Sequence, residues 1–163
     1  VGKKKDKLKK TLPEQMLDKA GVAYESLAFA WHEEHGVAQF EHGDIEEHSI
    51  YKTLALIGNV TGPVVGVVPL DYHLSEKKLA AVSGNKKVDM IPLKDLVKTT
   101  GYVHGANNPV GIWQTKHFPI FIDEEAKRQG TMIVSGGEVG RSIKIDATEL
   151  AEFVHAKFVD LRQ

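Results

Sequence analysis

The stretch Ser49-Ile50-Tyr51-Lys52-Thr53-Leu54-Ala55-Leu56-Ile57-Gly58 limits the possible folds more than any other part of the chain. Its β-branched, aromatic and aliphatic content predicts a central strand, and Ile50, Leu54, Leu56 and Ile57 call for burial. Lys52 breaks that pattern. A lysine is almost never fully buried unless a partner or a cleft accounts for it. Two glycine-rich stretches could form such a cleft: Thr100 to Trp113, with Gly101, Gly105, Pro109 and Gly111, and Ser135 to Gly140, with three glycines in six residues. Two readings of Lys52 stay open at this level, a working ammonium in a cleft or a side chain that snorkels from a strand edge into water.

The remaining elements follow from caps and periodicity. Thr11-Leu12-Pro13-Glu14 is a capping box that opens a short helix ending at Gly21, and Val22 to Ala30 reads as a strand. Trp31 to His48 is rich in histidine and glutamate, with a helix expected around Val37 to Phe40 and closed by Gly43. After the central strand, the turn Gly58 to Gly62 leads into a valine-rich strand, Pro63 to Leu70. Ser75 caps a helix over Glu76 to Val82, Lys87 to Met90 is a short strand, and Pro92 to Thr100 is a helix with Leu93, Leu96 and Val97 on its apolar side. Beyond a long loop, Pro119 to Ile122, Thr131 to Ser135 and Ser142 to Ile145 are strands, and Asp146 opens a C-terminal helix carrying Leu150, Phe153, Val154 and Phe158. The expected architecture is α/β of mixed, α+β type: a single domain around one curved sheet of about seven strands flanked by helices.

Charge divides the chain unevenly. The first ten residues contain six lysines and one aspartate, although the net charge of all 163 residues is −1. We therefore read residues 1–10 as a basic flexible tail and 11–163 as the domain; the tail is either a phosphate-backbone contact or a solvated terminus. The absence of cysteine excludes disulfides, thiolate metal sites and a protein thiol nucleophile. No apolar run reaches the roughly 20 residues that span a bilayer, and no apolar segment follows the N-terminal charges, so a cytoplasmic protein without a membrane partner is expected.

Several chemistries are poorly served by the sequence. His32-Glu33-Glu34-His35 spaces its histidines three apart rather than four, so the metalloprotease pattern fails; His42 and His48 do not repair it, and no metal is expected. Ser135 lacks the Gly-x-Ser-x-Gly elbow of a triad hydrolase. The Gly136-Gly137-Glu138-Val139-Gly140 run leads into a strand rather than a helix, so no phosphate loop is formed. No cofactor is called for. What remains is Lys52 facing loops whose backbone N–H groups can approach a ligand oxygen closely.

Ile50-Tyr51-Lys52-Thr53-Leu54, Leu79 followed by Lys86-Lys87-Val88, Thr100-Gly101-Tyr102-Val103 running into Gly105, Pro109 and Gly111, and Val134-Ser135-Gly136-Gly137 resemble, in order, the motifs of the YbaK/EbsC family, relatives of the editing domain of prolyl-tRNA synthetase. The resemblance spans about Thr11 to Phe158. It implies a mixed sheet partly closed into a barrel, and hydrolysis of mischarged aminoacyl-tRNA, notably Cys-tRNA(Pro), without a cofactor. It also implies the aminoacylated 3′ end of tRNA, with prolyl-tRNA synthetase, as partners. Lys52, Thr53, Gly101 and Ser135 match the catalytic positions; Phe29, Tyr51, Gly105, Asn108, Pro109, Gly136, Gly137 and Ser142 fall at substrate-binding positions. Phe29 replaces a tyrosine common in the family, Ser142 an aspartate, and Ala106 and Asn108 a glycine and a serine. The alternative from another class is a non-catalytic module that binds an aminoacyl or nucleotide-like ligand in the same cleft; a regulatory or cell-surface role is a third.

Overall fold

The computed structural model describes residues 9–163 except residues 36 and 42. The basic tail therefore lies mostly outside the described residues. The first helix, α1 (Leu12–Ala20), forms as its capping box dictates: Thr11 Oγ1 accepts the Glu14 N–H at 3.2 Å and Glu14 Oε1 accepts the Thr11 N–H at 2.9 Å. Strands β1 (Glu25–Ala28), β2 (Ala30–Glu34) and β3 (Val37–Glu41) follow, then a 3-10 turn at Glu47–Ser49. Next come β4 (Tyr51–Gly58), β5 (Gly62–Pro69), α2 (Glu76–Ser83), β6 (Val88–Met90), α3 (Leu93–Thr100) and α4 (Pro109–Lys116). The chain ends with β7 (Ile120–Asp123), α5 (Glu125–Gln129), β8 (Thr131–Ser135), β9 (Arg141–Asp146), α6 (Ala147–Phe153) and β10 (Lys157–Val159).

These elements build a mixed α/β domain, but not around one sheet. Among the described residues there are three: a five-stranded sheet in the order β10-β7-β5-β4-β6, a three-stranded antiparallel sheet β1-β9-β8, and the β2-β3 hairpin. The expected single curved sheet of about seven strands, partly closed into a barrel, is not formed. The two larger sheets meet instead at an isolated parallel bridge between Ile50 and Ile133. That bridge lies one residue before β4 begins, so the start of β4 is held between both sheets.

Strand β5 shows why its valines run almost without interruption. Val65 and Val67 enter one core cluster with Leu17, Ile112, Ile143 and Leu150, whereas Val64 and Val68 enter a second with Leu56, Leu79, Phe121 and Leu161. A strand covered on both faces has no solvent side on which to place polar residues.

Four local expectations are corrected. Val37 to Phe40 belongs to strand β3, with Trp31 opposite Phe40 and Glu34 opposite Val37; four residues are too few to reveal a helical period, and Val and Phe favour strands. The C-terminal helix stops at Phe153, because Val154 and His155 (φ 56°) turn the chain, and Phe158 joins β10 beside β7. The long loop contains helix α4, whose cap is Asn108 with proline at the first turn. Of the three apolar residues on α3, Leu96 is buried while Leu93 and Val97 are 60% and 50% exposed; the helix lies at an edge rather than across the core.

Leu79, fully buried in the second cluster, lies apart from the cavity described below. Leu79→Ala should lower unfolding free energy by about 2–5 kcal/mol, read from the denaturant midpoint, because neighbouring strands cannot collapse into the space left behind.

Candidate functional site

The start of β4 opens onto a cavity of about 640 Å³. Its polar wall includes Lys52, Thr53, His104, Asn107, Ser135, Arg141 and Ser142, and its apolar wall Ile50, Leu54, Met90, Ile91, Leu93 and Leu96. Lys52 has no hydrogen-bond or ion-pair partner among the described residues. Burial pushes its pKa below the ordinary lysine value, and the negative charge of Asp71 opposes that shift. Thr53 beside it is 9% exposed, and its hydroxyl is buried without a partner. Both residues line the cavity, and neither the hydroxyl nor the ammonium is committed to another group among the described residues.

The opposite wall comes from the β8-β9 turn. Ser135 lies opposite Ser142 in the ladder, and its hydroxyl oxygen accepts the Gly137 N–H at 3.1 Å. Arg141 closes the turn through its backbone and reaches back through its side chain: Nη2 donates to Glu14 Oε1 at 3.1 Å and Nη1 to the Lys9 carbonyl at 3.0 Å, while Nε is buried and unpartnered. Glu14 is itself fully buried and also accepts from Ser26 Oγ. Asn107, cavity-lining and 9% exposed, accepts from Thr100 Oγ1 at 2.8 Å.

Of the residues singled out in the sequence, Phe29, Tyr51, Lys52, Thr53, Gly105, Ser135 and Ser142 come together on this cavity. Gly101, Asn108, Pro109, Gly136 and Gly137 lie outside its lining. Gly101 takes φ 89° to end α3. Asn108 is buried, accepting the Gly111 N–H at 2.6 Å and donating to the Ala106 carbonyl at 3.1 Å, and Pro109 begins α4 behind it. Gly136 donates its N–H to the Arg141 carbonyl at 2.8 Å, and Gly137 sits against Pro13. Sequence reading missed Arg141, Asn107, His104 and the apolar wall. An isolated arginine in a strand carries no local signal; its role depends on Glu14, 127 positions away.

A polar pedestal fixes the cavity from behind. His48, on the turn before β4, contacts Asp71 through Nδ1 at 3.0 Å and Glu125 through Nε2 at 2.7 Å, and Glu125 also pairs with Arg128. Its ring tilts against Tyr72 at 5.3 Å. The Gln129 side chain donates to the His48 carbonyl at 3.1 Å and accepts from the Tyr51 hydroxyl. The Tyr51 phenol is thereby committed to structure, and burial, ahead of the Glu125 charge, pushes its pKa up. Among the described residues no three His, Asp or Glu side chains gather to hold a metal; His42 lies outside them. No helix of the described residues is long and apolar enough to cross a membrane.

Chemically, the site offers charge and donors rather than an activated nucleophile. Among the described residues no histidine hydrogen-bonds Ser135 or Ser142.

The family model described as the aminoacyl-tRNA editing domain matches residues 35–153. The chain belongs to that family. It is 41% identical over 160 residues to EbsC of Enterococcus faecalis, provisionally named a Cys-tRNA(Pro)/Cys-tRNA(Cys) deacylase, covering 97% of this chain and 96% of that one. Among solved structures, the hypothetical protein APE2540 superposes with a TM-score of 0.76 at 19% identity, covering 92% of this chain and 98% of that one. A provisionally assigned trans-editing enzyme for prolyl-tRNA synthetase gives 0.66 at 22%, covering 72% and 73%. At those identities the two structures establish a shared fold.

Hydrogen bonds to Glu125 and Asp71 raise the His48 pKa above the ordinary imidazole value. With the folded value above the unfolded one, this contribution to stability is complete below the unfolded pKa and is lost as pH rises through the folded one. His48→Gln should remove that alkaline loss, seen as a flatter dependence of unfolding midpoint on pH above the ordinary imidazole value of about 6.5. Glu125 bounds the acid side: Arg128, then His48, hold its pKa down at about 2, so its contribution disappears only in strong acid.

Proposed function

We propose that this protein is a free-standing deacylase that clears mischarged aminoacyl-tRNA, with Cys-tRNA(Pro) as its substrate, in the cytoplasm and alongside prolyl-tRNA synthetase. The observation that carries the reading is a cavity lined by Lys52, whose ammonium is unpaired, and Thr53, whose hydroxyl is an orphan, in which no nucleophile and base are hydrogen-bonded among the described residues. An aminoacyl ester is already activated, so orientation and polarisation of its carbonyl are enough for cleavage. The 41% identity to a relative named as a Cys-tRNA deacylase supports the choice of amino acid.

In this reading the terminal adenosine and its aminoacyl group enter the cavity and Lys52 stabilises the negative charge that develops on the ester oxygen. The substrate's own thiol attacks the carbonyl carbon. The S–C bond forms, the C–O bond to the ribose breaks, and the thiol proton ends on the departing ribose oxygen, giving a cyclic thioester and free tRNA. Thr53 and Ser135 are assigned to orienting the ester. Phe29, Tyr51, Gly105 and Ser142 shape the pocket, while Gly101, Asn108, Pro109, Gly136 and Gly137 hold its loops in place.

Lys52→Ala should leave the fold intact and slow ester cleavage about 100-fold to 1000-fold, the usual effect of removing one transition-state electrostatic contact. Activity within about threefold of wild type, measured as loss of label from Cys-tRNA(Pro), would remove Lys52 from the mechanism.

Amino-acid selectivity separates thiol attack from attack by water. With thiol attack, Cys-tRNA is cleaved while Ser-tRNA and Ala-tRNA survive, since a hydroxyl is a poor nucleophile at neutral pH and a methyl is none. With water, similar small side chains differ by only roughly 10-fold to 200-fold. We expect the first pattern; a preference for Ala-tRNA in side-by-side assays would contradict it. Binding of the aminoacylated end with no cleavage of any ester would instead favour the non-catalytic module.

A further inference from the structure

Trp31, 46% exposed, packs on Gly140 at the wall of the Lys52 cavity. Phe29, just before strand β2, lines the cavity and donates its backbone N–H to the Gly140 carbonyl at 2.8 Å. Gly140 also lines the cavity, and Trp31 rests on it: a Cβ at position 140 would stand 2.7 Å from Trp31 Cδ1 and 3.1 Å from Nε1. Glycine at 140, at φ 87°, is thus what lets the indole reach this wall. The indole N–H has no hydrogen-bond partner among the described residues. On the same edge, Arg141 follows Gly140 and holds the exposed Lys9 through its carbonyl at 3.0 Å.

A half-exposed tryptophan at the rim of a ligand-sized cavity is the kind of surface on which single-stranded nucleic acid is held. Unpaired bases stack on aromatic faces, while phosphates seek nearby Lys and Arg. A cavity of about 640 Å³ is of the size that encloses one small-molecule ligand, which places a neighbouring nucleotide outside it.

We propose that Trp31 is the stacking platform for the base next to the esterified terminal nucleotide, holding the single-stranded 3′ end as it enters the cavity. The proposal rests on the deacylase reading for its choice of RNA end. Trp31 contributes an aromatic face with no sequence preference.

The test uses an uncharged RNA minihelix with a single-stranded CCA end, a blunt version lacking that end, and fluorescence anisotropy. Trp31→Ala should weaken binding of the CCA-ended RNA roughly 5-fold to 150-fold and leave the blunt RNA unchanged. Trp31→Phe should stay within about threefold of wild type, whereas Trp31→Leu, which keeps apolar bulk without a π face, should behave like alanine. Matching unfolding midpoints exclude a folding defect. Unchanged affinity in Trp31→Ala, equal losses on both RNAs, or full binding by Trp31→Leu would each overturn the platform. Binding is read without turnover, so failure to cleave any ester would remove the deacylase reading separately and leave this comparison decisive for Trp31.

Discussion

Everything at the site depends on keeping one ammonium partly out of water with no ion-pair partner among the described residues. Desolvation disfavours the charged form of Lys52, and nothing among the described residues pairs with it. A strand at the junction of two sheets can hold such a group in place, because β4 is paired on both sides, with β5 along its length and with β6 near its end. The strain of the unpaired charge falls on a rigid element. Its field, weakly screened inside the cavity, is therefore directed at whatever enters.

The cavity walls are kept apart by two polar assemblies that do different work. Glu14 and Arg141 form a nearly dry ion pair between α1 and β9, with side-chain exposures of 1% and 11%. Breaking such a pair by removing one partner leaves an uncompensated charge, typically destabilising by about 3–5 kcal/mol. It ties the capping box of the first helix to the glycine turn that carries Ser135 and Ser142. His48, more open to solvent, ties the turn before β4 to α5 and to the Asp71 loop. The second assembly depends on the protonation of His48.

Much of this was legible in the sequence wherever a signal was local. The Thr11-Glu14 box, the Ser75 cap, the Gly58–Gly62 turn and the doubly buried valines of β5 each announce themselves within a few residues. Lys52 was conspicuous because it stands alone among apolar neighbours. Failures came where tertiary contacts override short patterns. Val37 and Phe40 pair across a hairpin that a four-residue window cannot reveal, and Phe158 keeps helical spacing from Leu150 although the chain has already turned at His155. The Asn108-Pro109 helix start was visible as a cap followed by proline, yet the surrounding glycines drew the segment toward a loop. Arg141 and Trp31 owe their positions to Glu14, Lys9 and Gly140, contacts that no local pattern encodes.

The central claim is that Lys52 is a desolvated, unpaired amine, and its titration tests that claim directly. Carbon-13 NMR of the protein labelled at lysine Cε should show one resonance titrating below the ordinary lysine value of about 10.4, and that resonance should vanish in Lys52→Ala. If every lysine resonance titrates at or above the ordinary value in the free protein, Lys52 is solvated or paired, and the cavity does not hold the charge on which the proposed chemistry depends.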